Sequence, residues 1–216
     1  MNYRILFIDE ERDQQDRFLN YFESIYNDLI PKCMLPSATL EEMLEMIDDY
    51  HPDAVITDFQ LNDIKTDIHY NVPYTGTELI KAIRKEREDF PCFVITAFDD
   101  AAVNDTDDVN LVYIKSVLGR GDEKAKITFA ARVINQIDKY KARIENATRE
   151  LSCLLAKRDI GNADVHDEER IIELDSFIEK SLGAHDSIPE NLKHLSNLER
   201  LNSLIDKVDE LLEKIE

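Results

Sequence analysis

His51-Pro52-Asp53-Ala54-Val55-Ile56-Thr57-Asp58 is a short apolar run that delivers one carboxylate, Asp58, at its carboxyl end. Three further strand-like runs end the same way. Tyr3–Ile8 leads into Asp9 and Glu10, Phe93–Ile95 into Thr96, and Leu111–Ile114 into Lys115. Cys33–Leu35 reads as a weaker second strand. Between these runs the apolar period lengthens to that of a helix. Arg12–Asn27 carries Phe18, Leu19, Phe22 and Ile25 at helical spacing, and Leu40–Tyr50 is preceded by Thr39 and Glu42 in capping-box register. Thr77–Glu88 places Leu79, Ile80 and Ile83 on one face. Strands alternating with helices predict an α/β domain, a doubly wound five-stranded parallel sheet covered on both sides. In such sheets ligands bind at the carboxyl ends of the strands. Three acids, a hydroxyl and a lysine should therefore meet there.

Two segments break the rhythm. Phe59–Gly76 is longer than the connections of about 2–6 residues usual in α/β units. It contains Asp63, Asp67, His69 and Tyr74 beside the expected site, and reads either as a functional cover or as a tolerated insertion. Phe98–Asn110, rich in Asp and Asn, leaves room for a short helix at most. The domain boundary is expected at 122/123, with a helical extension over 123–216. Its first helix, about 124–157, carries Val133, Ile137, Tyr140, Ile144, Ala147, Leu151 and Leu154 at alternating spacings of four and three, a heptad seam. Arg158–Asp164, with Gly161, ends it; a second helix spans about 167–182 and is closed by Gly183. Ser187-Ile188-Pro189-Glu190 opens a third, about 188–216, with Leu198, Leu201, Ile205, Val208, Leu212 and Ile215 as another seam. These amphipathic stripes must be buried on each other or on a second copy. A homodimer through this partly coiled-coil region is the expectation, and a closed monomeric bundle the alternative.

Charge excludes some functions. The net charge is −20, and 11 basic against 25 acidic residues in 1–120 leave −14, while 15 against 21 in 121–216 leave −6. Neither half offers the basic face that neutralises nucleic-acid phosphates. Lys139, Lys141, Arg143 and Arg149 read as a solvated helix face. A charged content of 33%, with no apolar run near the ~20 residues of a membrane span, argues against a membrane protein. The amino terminus runs straight into a strand without signal-peptide character. Cys33, Cys92 and Cys153 lack metal or redox spacing and read as reduced thiols of a cytoplasmic protein.

Asp9, Glu10 and Asp58 should lie close together. Unit charges ~4 Å apart repel by ~4 kcal/mol at an effective dielectric near 20. Three carboxylates thus call for a cation, and an all-oxygen set favours Mg²⁺ over zinc. Asp58 is then the expected nucleophile toward a phosphoryl group, with Lys115 pairing one phosphoryl oxygen and Thr96 hydrogen-bonding another.

These pieces together resemble the response-regulator receiver domain of two-component signalling, a flavodoxin-like fold. The matching stretches are Ile5-Leu6-Phe7-Ile8-Asp9-Glu10, the strand ending at Asp58 with Leu61 beyond it, Thr75-Gly76-Thr77-Glu78-Leu79-Ile80, Ile95-Thr96-Ala97 and Tyr113-Ile114-Lys115. They cover residues 1 to about 120–140. The resemblance implies phosphotransfer from a histidine kinase or phosphotransfer protein to Asp58, and Mg²⁺ held by Asp9 or Glu10, Asp58 and the backbone carbonyl of Gln60. It also implies that Thr96 and Tyr113 form a switch pair reporting phosphorylation. Four departures stand out: Ser116 replaces the usual proline after the lysine, Glu10 replaces the commoner Asp, the loop after Asp58 is about ten residues longer, and the fourth-helix segment is degraded.

The expected function is that of a phosphoacceptor, with output through protein–protein contacts of the helical region to a downstream protein, without nucleic acid or membrane. A phosphate sink or shuttle competing for a kinase is a related reading. A structural adaptor with an idle site is a different one. The chain is not expected to be an enzyme: a phosphoaspartate hydrolase needs a carboxylic acid two positions beyond its nucleophile, where Gln60 stands.

Overall fold

The computed structural model describes residues 2–25, 28–61, 70–97, 109–119 and 127–182. The chain divides into two compact units, Met1–Lys141 and Ala142–Glu216.

Unit one is built on five parallel strands in the order β2-β1-β3-β4-β5: β1 Tyr3–Ile8, β2 Leu29–Met34, β3 Ala54–Asp58, β4 Cys92–Thr96 and β5 Val112–Ile114. This is the doubly wound arrangement expected from the sequence. Helix α1 (Arg12–Ile25) links β1 to β2, whereas α2 (Leu40–Tyr50) returns past β1 to β3 and α3 (Gly76–Glu86) continues to β4. Crossovers of one hand put connections that run in opposite directions on opposite faces. The direction reverses between neighbours β1 and β3, and the crevice at that reversal lies at their carboxyl ends.

Every residue of β3 and β4 is buried. One face of the sheet, with Ile5, Phe7, Ala54, Ile56, Phe93 and Ile95, forms a common core with Phe18 and Phe22 of α1 and with Phe129, Ala130, Val133 and Ile137. Aromatic contacts run through it: Phe7 stacks on Phe18 at 4.5 Å, Phe18 meets Phe22 at 4.6 Å, and Phe129 meets Phe93 and Tyr113 at 5.8 and 4.9 Å. Each such pair adds about 0.5–1.5 kcal/mol beyond the area it buries.

The stretch His51–Asp58 enters β3 through a sharp turn. His51 closes α2 in the left-handed region, φ 54°, donating its N–H to the Ile47 and Asp48 carbonyls. Asp53 then clamps β3 to β1. Its N–H donates to the Arg4 carbonyl (2.7 Å), and its carboxylate accepts from the Arg4 N–H (2.8 Å).

Two elements differ from the sequence reading. Strand β2 begins four residues earlier than Cys33. Pro31 and Lys32 obscure it in the sequence, but an edge strand tolerates both, because one row of its backbone groups needs no partner. The helix expected at about 124–157 is α4, Phe129–Asp159, a single element of 31 residues. Unit one extends to Lys141, beyond the expected 122/123 boundary, because the first turns of α4 cover the sheet. Val133 and Ile137 are fully buried there, and Tyr140 meets Phe90 edge-on at 5.5 Å. The first three positions of the expected heptad seam thus belong to the core of unit one.

Within unit two, α4 ends in a Schellman turn at Gly161 (φ +74°), with Asn162 donating to the Lys157 carbonyl and Gly161 to that of Arg158. Helix α5 is Val165–Leu182, two residues longer than expected because Asp164 caps it: its carboxylate accepts from the Asp167 N–H, and Asp167 reciprocates (both 2.9 Å). Ala147 of α4 and Ile171, Ile172 and Leu174 of α5 are buried, while Ile144, Leu151 and Leu154 are half-buried. Arg170 forks onto Glu150 at 2.8 and 3.1 Å, and Lys157 pairs with Asp167. Gly183 and the helix expected over 188–216, with its seam, lie outside the described residues. Among the described residues no helix is long and apolar enough to cross a membrane.

Candidate phosphoacceptor site

Strands β1 and β3 are paired through Ile8 and Thr57, so Asp9 and Asp58 leave the sheet side by side. Asp9, Glu10 and Asp58 are all buried, at 0, 2 and 7% exposure, and offer carboxylate oxygens that lie within 4.8 Å of one another. Lys115 reaches in from the carboxyl end of β5. Its Nζ lies 3.1 Å from Asp58 Oδ1 and 3.2 Å from Asp9 Oδ2. The Glu11 N–H donates to Asp9 Oδ1 (2.8 Å), and Gln15 Nε2 donates to the Asp9 carbonyl (2.7 Å), which fixes the β1–α1 turn.

The electrostatics follow from three acids facing one base. Burial pushes the Asp58 carboxyl up to about 7; Lys115 opposes this, while Asp9 and Glu10 add to it. Asp9 is raised for the same leading reason, with Lys115 and the Glu11 N–H pulling the other way. Burial alone would lower Lys115, but Asp58 and Asp9 more than offset it and hold it above its ordinary value. One lysine therefore does not balance the cluster. An all-oxygen set of buried carboxylates, short of positive charge, fits a hard divalent cation such as Mg²⁺.

Thr96, the last residue of β4, is buried and pairs in register with Ile114, next to Lys115. Tyr113 is half-buried, with its ring against Phe93 (6.0 Å) and Phe129. Gln60 is exposed directly beyond the acceptor strand, and Leu61 is buried. Ser116 sits in a 3-10 turn, Lys115–Leu118. Of the long connection, Tyr74 is buried, whereas Asp63, Asp67 and His69 lie outside the described residues.

Several residues around Asp58 gain structural roles that the sequence did not assign. The Phe59 N–H donates to the Ile95 carbonyl (3.0 Å), extending the β3–β4 ladder past Asp58. Gly76 presses against β3 so closely that a Cβ there would stand 1.9 Å from the Asp58 carbonyl oxygen. Only glycine permits that approach. The next turn is fixed by a full capping box, in which Thr75 Oγ1 accepts from the Glu78 N–H (3.2 Å) and Glu78 Oε2 accepts from the Thr75 N–H (2.7 Å). Thr-Gly-Thr-Glu is a visible signal for such a box; of the boxes expected at Thr39 and Ser187, Thr39 Oγ1 accepts from the Glu42 N–H at 3.3 Å, and Ser187 lies outside the described residues.

No family model and no curated protein matches the chain. Among solved structures it is similar to a CheY-like response regulator receiver domain protein from Methanospirillum hungatei JF-1, at 18% identity over 66% of this chain and 99% of that one, with a TM-score of 0.44. It is similar to the signal receiver domain of the putative response regulator NarL from Mycobacterium tuberculosis at 16% identity, over 65% and 97% of the two chains, with a TM-score of 0.40. The RcsB response regulator of Salmonella typhimurium gives 14% identity over 90% and 98%, with a TM-score of 0.45. At this distance the likeness adds no weight of its own: the receiver-type fold rests on the strand order β2-β1-β3-β4-β5 and its register.

Proposed function

We propose that this protein is the phosphoacceptor of a two-component signalling system, modified on Asp58 by a histidine kinase or phosphotransfer protein. The observation that carries the reading is the juxtaposition of Asp9, Glu10 and Asp58 with Lys115 bridging two of them. Asp58 Oδ forms the new O–P bond as the N–P bond of a donor phosphohistidine breaks, leaving the electron pair on the imidazole nitrogen. Lys115 moves from its carboxylate partners to a phosphoryl oxygen, and Thr96 donates its hydroxyl to another. Asp9, Glu10, Asp58 and the Gln60 carbonyl would hold Mg²⁺, and the ion would supply positive charge that screens the carboxylates and the incoming phosphoryl group. Burial raises Asp58 to about 7 without the ion, so the same screening would favour the ionised nucleophile at neutral pH.

The modification adds about −1.5 to −2 charges to a site already crowded with acid. Thr96 and Tyr113 are the pair through which that change is felt: Tyr113 contacts the Phe129 ring at the start of α4. Output runs through protein–protein contacts of the helical region, including its own dimerisation, rather than through DNA. The net charge of −20 supports this, as does the engagement of cations in unit two: Arg170 with Glu150 and Glu173, Lys157 with Asp167, and Arg149 with Glu145. The protein accepts phosphate onto itself and acts on no separate substrate.

Incubation with Mg²⁺ and a small phosphodonor, followed by intact mass, tests the reading. Wild type should gain one phosphoryl group and Asp58→Ala none; a folded wild type that gains none would sink it. Light scattering before and after the reaction tests dimerisation, and a monomer in both states removes that part.

A further inference from the structure

The two ends of the connection after Asp58 meet. The Phe59 carbonyl accepts from the Gly76 N–H (2.9 Å), and Gly76 lies against the Asp58 carbonyl with no room for a Cβ. The backbone at Asp58–Phe59 and that at Gly76 are therefore tied together. The residues just before Gly76 decide where they sit.

Asn71, Val72, Pro73 and Tyr74 alternate exposed, buried, exposed, buried, as an extended segment packed on one side does. Val72 is fully buried, and Tyr74 is 5% exposed. The Tyr74 hydroxyl donates to the Ser37 carbonyl (3.0 Å), and the Tyr70 hydroxyl donates to the Pro36 carbonyl (2.6 Å). Pro36 and Ser37 belong to the turn between β2 and α2, at the same carboxyl edge of the sheet. That turn directly follows Met34, whose carbonyl accepts from the Asp9 N–H at 3.4 Å. Two phenols thus peg the strap carrying Gly76 to the turn that flanks Asp9.

We propose that Tyr74, assisted by Tyr70, is a positioning residue for cation binding and phosphoryl acceptance at Asp58. By pegging the strap to Ser37 it holds Gly76, and through the Gly76 N–H and its close approach to the Asp58 carbonyl it holds the backbone that carries Asp58 and Phe59. The inference rests on the phosphoacceptor reading. It makes residues 70–76, the end of the long connection, part of the site, fixed on the β2–α2 turn.

Calorimetric titration of the full-length protein with Mg²⁺ alone, together with phosphoryl uptake from a small donor across Mg²⁺ concentrations, tests it. Tyr74→Phe keeps the ring and removes one hydrogen bond. It should weaken Mg²⁺ binding by about three- to tenfold and slow uptake at low Mg²⁺ by the same factor. Saturating Mg²⁺ should restore the rate. A lower melting temperature with unchanged Mg²⁺ affinity and unchanged metal dependence of uptake would make the peg structural only and overturn the proposal. Should Tyr74→Phe fail to fold, Tyr70→Phe carries the same test on a ring that is 40% exposed: weaker Mg²⁺ binding supports the proposal, and unchanged binding overturns it. A wild type that binds Mg²⁺ but takes up no phosphoryl group defeats the phosphoacceptor reading alone, since the titration still decides the role of Tyr74.

Discussion

The two ends of the sheet carry similar side chains and treat them in opposite ways. At the amino-terminal end, Asp53 meets the Arg4 N–H and, at 2.8 Å, Lys141. Asp138 accepts from the Tyr3 hydroxyl (2.9 Å), a hydrogen bond that holds the phenol above its ordinary pKa. Arg4 and Lys32 both lie 4.3 Å from the centre of the Tyr50 ring. These groups are at least partly exposed, and each acid has its own donor. At the carboxyl end, three buried carboxylates crowd together and Lys115 pairs with two of them, Asp9 and Asp58. A surface rich in acid can be matched pair by pair, so the mismatch at one edge is a local arrangement, of the kind that marks functional sites.

The sharpest way to break the contrast is through Gly76. Gly76→Ala places a Cβ 1.9 Å from the Asp58 carbonyl oxygen, so the acceptor strand or α3 must shift. Overpacking against main chain should cost on the order of 3 kcal/mol and abolish phosphoryl uptake together. Denaturant unfolding and intact mass check both; retention of uptake would show that the acceptor backbone need not be held. Lys115→Met comes next. Removing one partner of a buried cluster costs about 3–5 kcal/mol, because uncompensated charge is left behind. The loss should be largest in metal-free protein at pH 8 and smaller at pH 5, where the carboxylates take up protons, and unfolding at the two pH values measures it.

Much of this is legible in the sequence. The ends of apolar runs mark the ends of strands, so Asp9, Glu10, Asp58, Thr96 and Lys115 could be brought to one edge by the parallel topology alone. What stayed hidden depends on partners distant in sequence. Tyr70 and Tyr74 bond to carbonyls 34 and 37 residues away, which no local pattern encodes, and Pro73 and Asn71 disguise the period-two alternation of their segment. The spacings of four and three in α4 are satisfied equally by a sheet surface and by a second helix. The sequence therefore fits both partners, and only the packing of Val133, Ile137 and Phe129 shows that the sheet takes the first turns.

The same imbalance predicts a pH dependence. Asp58 has its native pKa raised from 3.8 to about 7, so between those values the native state keeps a proton that the unfolded chain has released. Stability of the metal-free protein should then fall as pH rises from about 4 to about 7, and level off above. A shift of this size corresponds to a loss on the order of 4 kcal/mol at most. Asp58→Asn should flatten the profile and be more stable than wild type at pH 8, and saturating Mg²⁺ should flatten it for wild type. Equal slopes for wild type and Asp58→Asn, followed by chemical denaturation, would remove Asp58 as their source.

Lys141→Ala provides the smallest effect and the counterpart at the other edge. Its ammonium lies 2.8 Å from Asp53 and 5.1 Å from the centre of the Tyr3 ring, with 32% of the side chain exposed. Asp53 retains the Arg4 N–H when the lysine is removed, and water can reach the freed oxygen. The cost should be about 0.5–1 kcal/mol, smaller still in 1 M salt, with Mg²⁺ affinity unchanged. Unfolding at low and high salt reads this directly. A loss as large as that of Lys115→Met would mean that burial and the ratio of charges are not what separates the two edges. A small, salt-screened loss ties the sensitivity of the carboxyl edge to three acids held out of water around one base.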